Sequence, residues 1–204
     1  GSANSLYLLS LGQNLFDAGY DVVRLNLRDH GDSHHLNSGL FHSCRIAEVV
    51  GAVRELQRQH PGKRLVLAGF SLGGNFCLRV GARAPAAGID VSRIVAVCPV
   101  IDPEHTLARL ESGWALYREY FVWKRRRSLR TKRAAWPDVY HSLDDILELG
   151  NLTEMTHRLA CGYGGFPSLP DYLRGYALVG HALEPLEALS DARVRIIAAE
   201  DDPI

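Results

Sequence analysis

Four short segments of the chain carry apolar patterns typical of β-strands. Residues 21–27 alternate apolar and polar side chains after the turn residues Ala18 and Gly19, whereas the three later segments are nearly continuous apolar runs. Alternation indicates a strand with one exposed face, and a short apolar run indicates a buried strand. The predicted strands are residues 21–27, 63–69, 93–100 and 194–199.

Apolar residues at helical spacing occur before and between these strands. The spacing recurs over residues 8–16, 46–56 and 72–84, and the last two stretches are followed by Pro61 and Pro85. Proline disfavours helical backbone at the residue before it, so both helices are expected to end there. Strands that alternate with helices predict an α/β fold, a doubly wound and mostly parallel sheet with helices on both faces.

The interval before the last predicted strand is far longer than an ordinary crossover connection. From about 102 to 190 the strand patterns are absent, and helical patterns occupy 107–121, 143–149 and 172–183. We therefore expect a core of residues 1–101 and 191–204 that carries an inserted helical cap of residues 102–190. Within the cap, the glycine-rich segment 161–167 is predicted to be a flexible hinge.

Composition and charge narrow the class of protein. With 47% hydrophobic and 23% charged residues among 204, the chain is neither disordered, nor collagen-like, nor a coiled coil. The 23 basic residues balance 23 acidic ones, so no global field attracts nucleic acid, and we expect no nucleic-acid partner. The sequence shows no signal peptide or spanning segment, and its four cysteines lie far apart, so we expect a cytoplasmic protein with free thiols.

The strongest chemical motif is the segment Gly69-Phe70-Ser71-Leu72-Gly73-Gly74, which fits G-x-S-x-G. It stands directly after a predicted strand and directly before a predicted helix, where a nucleophilic serine is held on a strained turn. Small residues two before and two after the serine are expected to avoid clashes, and the Leu72 N–H is placed to bind an oxyanion. The alternatives are a glycine-rich turn without chemistry and a phosphate cradle, but the sequence lacks the Walker lysine.

Together with this motif, three further segments resemble the α/β-hydrolase superfamily, and in particular its YheT-type branch. They are the strand and loop from Val23 to Ser33, the pair Phe41-His42, and the turn Ala199-Glu200-Asp201-Asp202-Pro203. The resemblance implies an α/β-hydrolase fold with an inserted cap. It also implies a serine hydrolase that cleaves carboxylic acyl esters, on lipid-like or small alcohols, without a cofactor.

The resemblance further implies a catalytic triad with Ser71 as nucleophile and Asp202 as acid, with Asp201 as the rival acid. In the family the histidine follows the acid, yet all nine histidines precede it here. His181 is expected to be a surface or packing residue. We therefore expect a central fragment whose base and second oxyanion donor lie outside these residues, and Gly1-Ser2 is either native or a cloning remnant.

The remaining expectations concern the surroundings of Ser71. The aromatic side chains of Phe70, Trp114, Tyr117, Phe121 and Phe166 are candidates for an acyl-binding pocket, or they only hold the cap to the sheet. We expect no metal in the loop of residues 29–35. The eight basic side chains of residues 118–133 form either a solvated face or a weak contact with anionic lipid head groups. A non-catalytic α/β-hydrolase scaffold is the alternative function.

Overall fold

The computed structural model describes residues 2–187, 193–200 and 202. Gly1 and the rival acid Asp201 lie outside these residues. The elements follow in chain order as helices α1 to α8, strands β1 to β3 and one 3₁₀ helix. They are α1 Leu6–Asp17, α2 Ile46–Gln59, β1 Leu65–Phe70, α3 Leu72–Arg83, β2 Val91–Val97, α4 Pro103–Ser112, α5 Ala115–Ala135, α6 Asp144–Glu148, α7 Leu152–Gly162, α8 Leu169–Arg174, the 3₁₀ helix Gly180–Leu186 and β3 Val194–Ile197.

The chain divides into two compact units. The first consists of Gly1–Phe41 and Leu116–Gly165, and the second of His42–Ala115 and Phe166–Ile204. The second unit contains the three strands and helix α3, and hence the predicted nucleophile. The first unit contains the polar loop after residue 27 and nearly all of α5.

The sheet of the second unit is parallel, with strand order β1-β2-β3. Its register aligns Phe70 with Val97 and Val97 with Ile197, so the three strands end at one edge. Helix α3 packs on β1 and β2. Its side chains Phe76 and Val80 are buried, and so is Ile94 of β2. This apolar layer between helix and sheet fixes the position of the turn that joins β1 to α3.

Local sequence signals explain several helix starts. The Asp102 carboxylate accepts hydrogen bonds from the Glu104 and His105 N–H groups and so caps α4, with Pro103 at its first position. Asn151 caps α7 by accepting from the Glu154 N–H at 2.7 Å. Helix α7 was not predicted, although Asn151 and Glu154 stand at the spacing of a capping signal.

The strand predicted at residues 21–27 is wrong. Within the described part of the chain this segment pairs with no strand, and Val23 and Leu25 are 57% and 44% exposed. A strand requires a neighbouring backbone to complete its hydrogen bonds, and alternation alone does not supply one. Side chains attach this segment to the chain start instead, because Asn26 accepts from the Ala3 N–H at 2.8 Å and Arg24 donates to the Ala3 carbonyl.

The helical patterns predicted in this interval are present as helices in the described part, residues 102–187, but with different bounds. This interval is helical between β2 and residue 187, but the helix expected over 107–121 is two helices, because the chain leaves helical geometry at Gly113. The helix expected over 172–183 ends at Arg174 and is followed by the 3₁₀ helix. The segment expected as a hinge begins inside α7, which runs through Gly162.

Candidate active site

Ser71 lies in a sharp turn between β1 and α3, and it is exposed to solvent. Its backbone has φ 51° and ψ −122°, a conformation that L-residues rarely adopt and that costs roughly 1–3 kcal/mol. Three backbone hydrogen bonds hold it there. The Ser71 N–H donates to Val97 at 2.9 Å, and the Ser71 carbonyl accepts from Asn75 at 3.1 Å and from Val100 at 3.4 Å.

A second strained residue lies at the same edge of the sheet. Cys98 follows the end of β2 with φ 42°, and its N–H donates to the Ile197 carbonyl at 2.7 Å. Two neighbouring strands therefore end in turns with positive φ. Such residues persist where the surrounding hydrogen bonds impose them, and they cluster at functional sites.

The glycines of the motif have different roles from those expected. A Cβ on Gly69 would lie 2.4 Å from the Gly73 backbone, so the position two before the serine must be glycine. A Cβ on Gly73 would meet no atom within 4 Å, so the expectation that the position two after the serine needs a small residue is wrong on steric grounds. At Gly74 there is less room, because an added Cβ would lie 3.1 Å from the Cβ of Pro99.

Leu72 is the first residue of α3, and its N–H stands in the first turn of that helix. N–H groups of the first turn have no acceptor within the helix, and the helix dipole places partial positive charge there. A negative charge that develops on an atom beside Ser71 would be stabilised by these groups. The geometry of α3 is therefore compatible with the predicted oxyanion donor.

Asn75 connects this turn by hydrogen bonds to other parts of the second unit. Its amide is fully buried and donates to the carbonyls of Val100 and Tyr176, both at 2.8 Å. Its side-chain oxygen accepts from Arg79 at 3.3 Å. In the sequence, Asn75 stands out only as the residue that follows the serine motif. A buried amide with three partners holds its neighbours in place, because each bond it loses leaves a polar group unsatisfied.

Arg79 extends this polar cluster. Its side chain is buried and donates to the Ser43 carbonyl at 2.7 Å, and burial lowers the pKa of its guanidinium. Tyr172 donates to the Ser43 hydroxyl at 3.0 Å. This cluster was not predicted from the sequence. A lone arginine on a helix is usually exposed, so its burial follows only from the packing around α3.

The predicted acid lies beyond the end of β3. Asp202 is exposed, and its N–H donates to the Ala199 carbonyl at 3.4 Å. Because the register aligns the ends of β1, β2 and β3, the residue after β1 and the turn after β3 emerge at the same sheet edge. Ser71 and Asp202 therefore follow strands that end at the same edge of the sheet, with β2 between these strands.

No histidine among the described residues hydrogen-bonds to the Ser71 hydroxyl. His181 is 90% exposed at its side chain and contacts Glu184. His42 packs its ring against Phe166 at 5.2 Å between centroids. The expectation that the base lies outside these residues therefore stays open, while His181 is a surface residue as expected.

The aromatic residues predicted to line an acyl pocket fall in both units. In the second unit, Phe70 and Phe166 are half-buried, Phe166 contacts the Tyr172 ring at 5.1 Å, and Trp114 is 74% exposed. In the first unit, Tyr117 and Phe121 lie 6.0 Å apart on α5. A surface pocket of about 300 Å³ lies beside Val91, at the start of β2. Because Ser71 follows the end of β1, this pocket lies at the other end of the strands and is remote from Ser71.

The polar loop of the first unit is organised by one buried ion pair. The ammonium of Lys132 is fully buried, donates to Asp29 at 2.7 Å, and also donates to the carbonyls of Asn37 and Gly39 at 2.5 and 3.0 Å. The second Asp29 oxygen accepts from the Phe41 N–H at 2.7 Å. Lys132 was expected on a charged surface, so its burial corrects that expectation. The described residues contain no cluster of three metal-ligating side chains.

The family assignment rests on a match over most of the chain. A family model described as the alpha/beta hydrolase fold matches residues 1–179, and the parallel sheet flanked by helices fits that fold. The chain belongs to the α/β-hydrolase fold family. Most members of this family are hydrolases, which favours hydrolase activity here. No curated protein and no solved structure matches the chain significantly. None of the described helices is long and apolar enough to cross a membrane.

Proposed function

We propose that this protein is a serine hydrolase of the YheT-type branch that cleaves carboxylic acyl esters, with Ser71 as nucleophile. The observation that carries this proposal is the exposed serine with φ 51° and ψ −122° between a parallel strand and a helix N-terminus. A turn that only reverses the chain does not need a strained non-glycine residue at its apex. The strain is understandable where it lifts a reactive hydroxyl clear of the sheet.

In the proposed reaction the Ser71 hydroxyl attacks the ester carbonyl carbon. The serine proton passes to a histidine outside these residues, which Asp202 orients, and the carbonyl oxygen becomes an oxyanion facing the Leu72 N–H. The carbon–oxygen bond of the ester then breaks, and the histidine returns the proton to the departing alcohol. Water, activated by the same histidine, hydrolyses the acyl-serine and releases the carboxylic acid.

The substrate side of the proposal rests on aromatic side chains. Trp114 and Tyr117 are exposed, and Phe70, Phe121 and Phe166 are half-buried. Aromatic rings bury acyl chains without requiring polar partners. We infer that the helical interval 102–190 acts as a cap that supplies such rings. Alanine at Phe166 should raise KM for long-chain p-nitrophenyl esters more than for acetate. An equal effect on both esters would remove Phe166 from the acyl site.

The central experiment labels the full-length protein with a fluorophosphonate probe and locates the adduct by mass spectrometry. We expect one adduct on Ser71, and loss of both labelling and ester hydrolysis in Ser71→Ala, by about 10⁴-fold or more in kcat. Ser112→Ala is the matched control, because Ser112 is an exposed serine on α4. An adduct on another residue, or full activity of folded Ser71→Ala, would contradict the proposal.

A second candidate function is a non-catalytic scaffold of the same fold. It is favoured by one observation, that no described histidine bonds to the Ser71 hydroxyl, since an unactivated serine is a weak nucleophile. The labelling experiment separates the two functions. A folded full-length protein that leaves the probe unreacted supports the scaffold, whereas a stoichiometric Ser71 adduct excludes it.

A further inference from the structure

Helix α5 has one face that is exposed along its whole length. Leu116, Tyr120 and Trp123 follow one another on this face at spacings of four and three residues, and they are 74%, 52% and 53% exposed. The same line continues through Arg127 and Arg130, which are also exposed. Spacings of three and four residues place side chains on one side of a helix. We call these five residues the outer face of α5.

The opposite side of the helix is packed in the first unit. Val122, Leu129 and Lys132 are 1%, 4% and 0% exposed, and Lys132 is held by the buried pair with Asp29. The rotation of α5 about its axis is therefore fixed. The exposure of Tyr120 and Trp123 follows from this rotation and is not a property of a frayed helix end.

The aromatic rings of the outer face lie beside cations. The Lys124 ammonium is 5.6 Å from the centre of the Tyr120 ring, and the Arg127 guanidinium is 5.6 Å from the centre of the Trp123 ring. Within the described ranges, Lys124, Arg127 and Arg130 form no salt bridge with a carboxylate. Their charge is thus available to an anionic partner.

The other basic residues of the segment 118–133 are engaged elsewhere in the fold. Arg126 donates to the carbonyls of Glu148 and Leu149, and Arg133 pairs with Asp144 at 2.5 Å. The eight basic side chains of residues 118–133 therefore do not form one solvated face. Its packed cations hold the first unit together, and its remaining cations lie with exposed aromatic rings.

We propose that the outer face of α5 docks on an anionic lipid surface. Amphipathic aromatic rings are favoured at the boundary between head groups and acyl chains, and adjacent lysine and arginine side chains bind lipid phosphates. Leu116 at the start of the face adds an aliphatic side chain that a nucleic-acid partner would not require. This docking goes beyond the proposed hydrolase activity and does not depend on Ser71.

Vesicle co-sedimentation of the full chain tests the proposal. We expect binding to phosphatidylcholine vesicles that contain phosphatidylglycerol, weaker binding at high salt, and little binding to phosphatidylcholine alone. The double variant Arg127→Glu/Arg130→Glu should weaken partitioning by about 25-fold or more, since one cation near an anionic membrane strengthens binding roughly fivefold. Trp123→Phe should remove any blue shift of tryptophan emission that accompanies vesicle binding.

The matched control is Arg54→Glu/Arg109→Glu, which makes the same change in net charge at exposed positions on α2 and α4. Binding by this control at the native level supports a local surface, whereas an equal loss in both double variants would overturn it. Equal binding to neutral and anionic vesicles, or binding to single-stranded DNA without binding to vesicles, would also overturn it. Ser71→Ala should bind vesicles normally, so failure of docking and failure of catalysis are distinguished.

Discussion

Replacing Gly69 by alanine should damage the turn at Ser71, whereas the same replacement at Gly73 should not. The two glycines flank the serine at equal distances in the sequence. Yet a Cβ at Gly69 points into the first turn of α3, and a Cβ at Gly73 meets open space. The pair is therefore a matched comparison in which the chemistry of the change is constant and only the surroundings differ.

The expected magnitude follows from the distances. The new Cβ at position 69 would lie 2.4 Å from the carbonyl carbon and oxygen of Gly73 and 2.7 Å from the Gly74 nitrogen, against an ordinary contact of at least 3.4 Å. All three atoms belong to the backbone, so α3 itself must move by about an ångström. Overpacking of this kind costs about 1–3 kcal/mol, and a rigid neighbour places the cost near the upper value. At Gly73, alanine instead gains up to about 1 kcal/mol of helix propensity.

Urea unfolding followed by tryptophan fluorescence measures both variants. The free energies of unfolding of Gly73→Ala and Gly69→Ala should differ by about 2–4 kcal/mol, with Gly73→Ala at or above the native value. In the full-length protein, Gly69→Ala should also slow fluorophosphonate labelling of Ser71, because a displaced α3 moves the Leu72 N–H.

Two results would refute this reasoning. If Gly69→Ala unfolds at the same urea concentration as the native protein, the close approach between β1 and α3 does not constrain the turn. If Gly73→Ala is destabilised as much as Gly69→Ala, the open space beside Gly73 is not present in the folded protein.

Three further predictions concern titratable groups that folding removes wholly or partly from solvent. Lys132→Met should lower the free energy of unfolding by about 3–5 kcal/mol, since it leaves the Asp29 carboxylate buried without its cation. As a control, Arg174→Ala removes an exposed ion pair with Asp171 and should lower the free energy of unfolding by less than about 1 kcal/mol. Burial lowers the pKa of His34 in the folded protein. The stability that the neutral ring contributes is therefore complete above the pKa of an unfolded histidine, about 6.5, and is lost as the pH falls below that value. In urea titrations, the free energy of unfolding of His34→Gln should fall less between neutral and mildly acidic pH than that of the native protein. Burial raises the pKa of the Cys77 thiol to about 12, so iodoacetamide should alkylate Cys77 at mildly alkaline pH much more slowly than an ordinary free thiol, and alkylation of the folded protein at the rate of a free thiol would contradict this.

The sequence alone determined the elements that carry the candidate site. Apolar runs and the breaks at Gly69 and Pro85 placed β1 and α3 to within two residues. The position of the serine motif between them predicted a strained turn, and the backbone of Ser71 has that strain. These predictions succeed because periodicity and turn chemistry are local, so neighbours in the chain are sufficient to impose them.

The tertiary structure decided what depends on distant partners. Residues 21–27 have the alternation of a strand but no neighbouring backbone among the described residues, so they form none. Lys132 stands in a run of basic residues that the sequence presents as a surface, and it is buried because folding brings Asp29, 103 positions away, to its ammonium. Gly73 matches the motif, yet only the packing around α3 shows that it has room for a side chain. In each case the outcome depends on which groups, if any, the fold brings to a position, and a local sequence pattern carries no information about that.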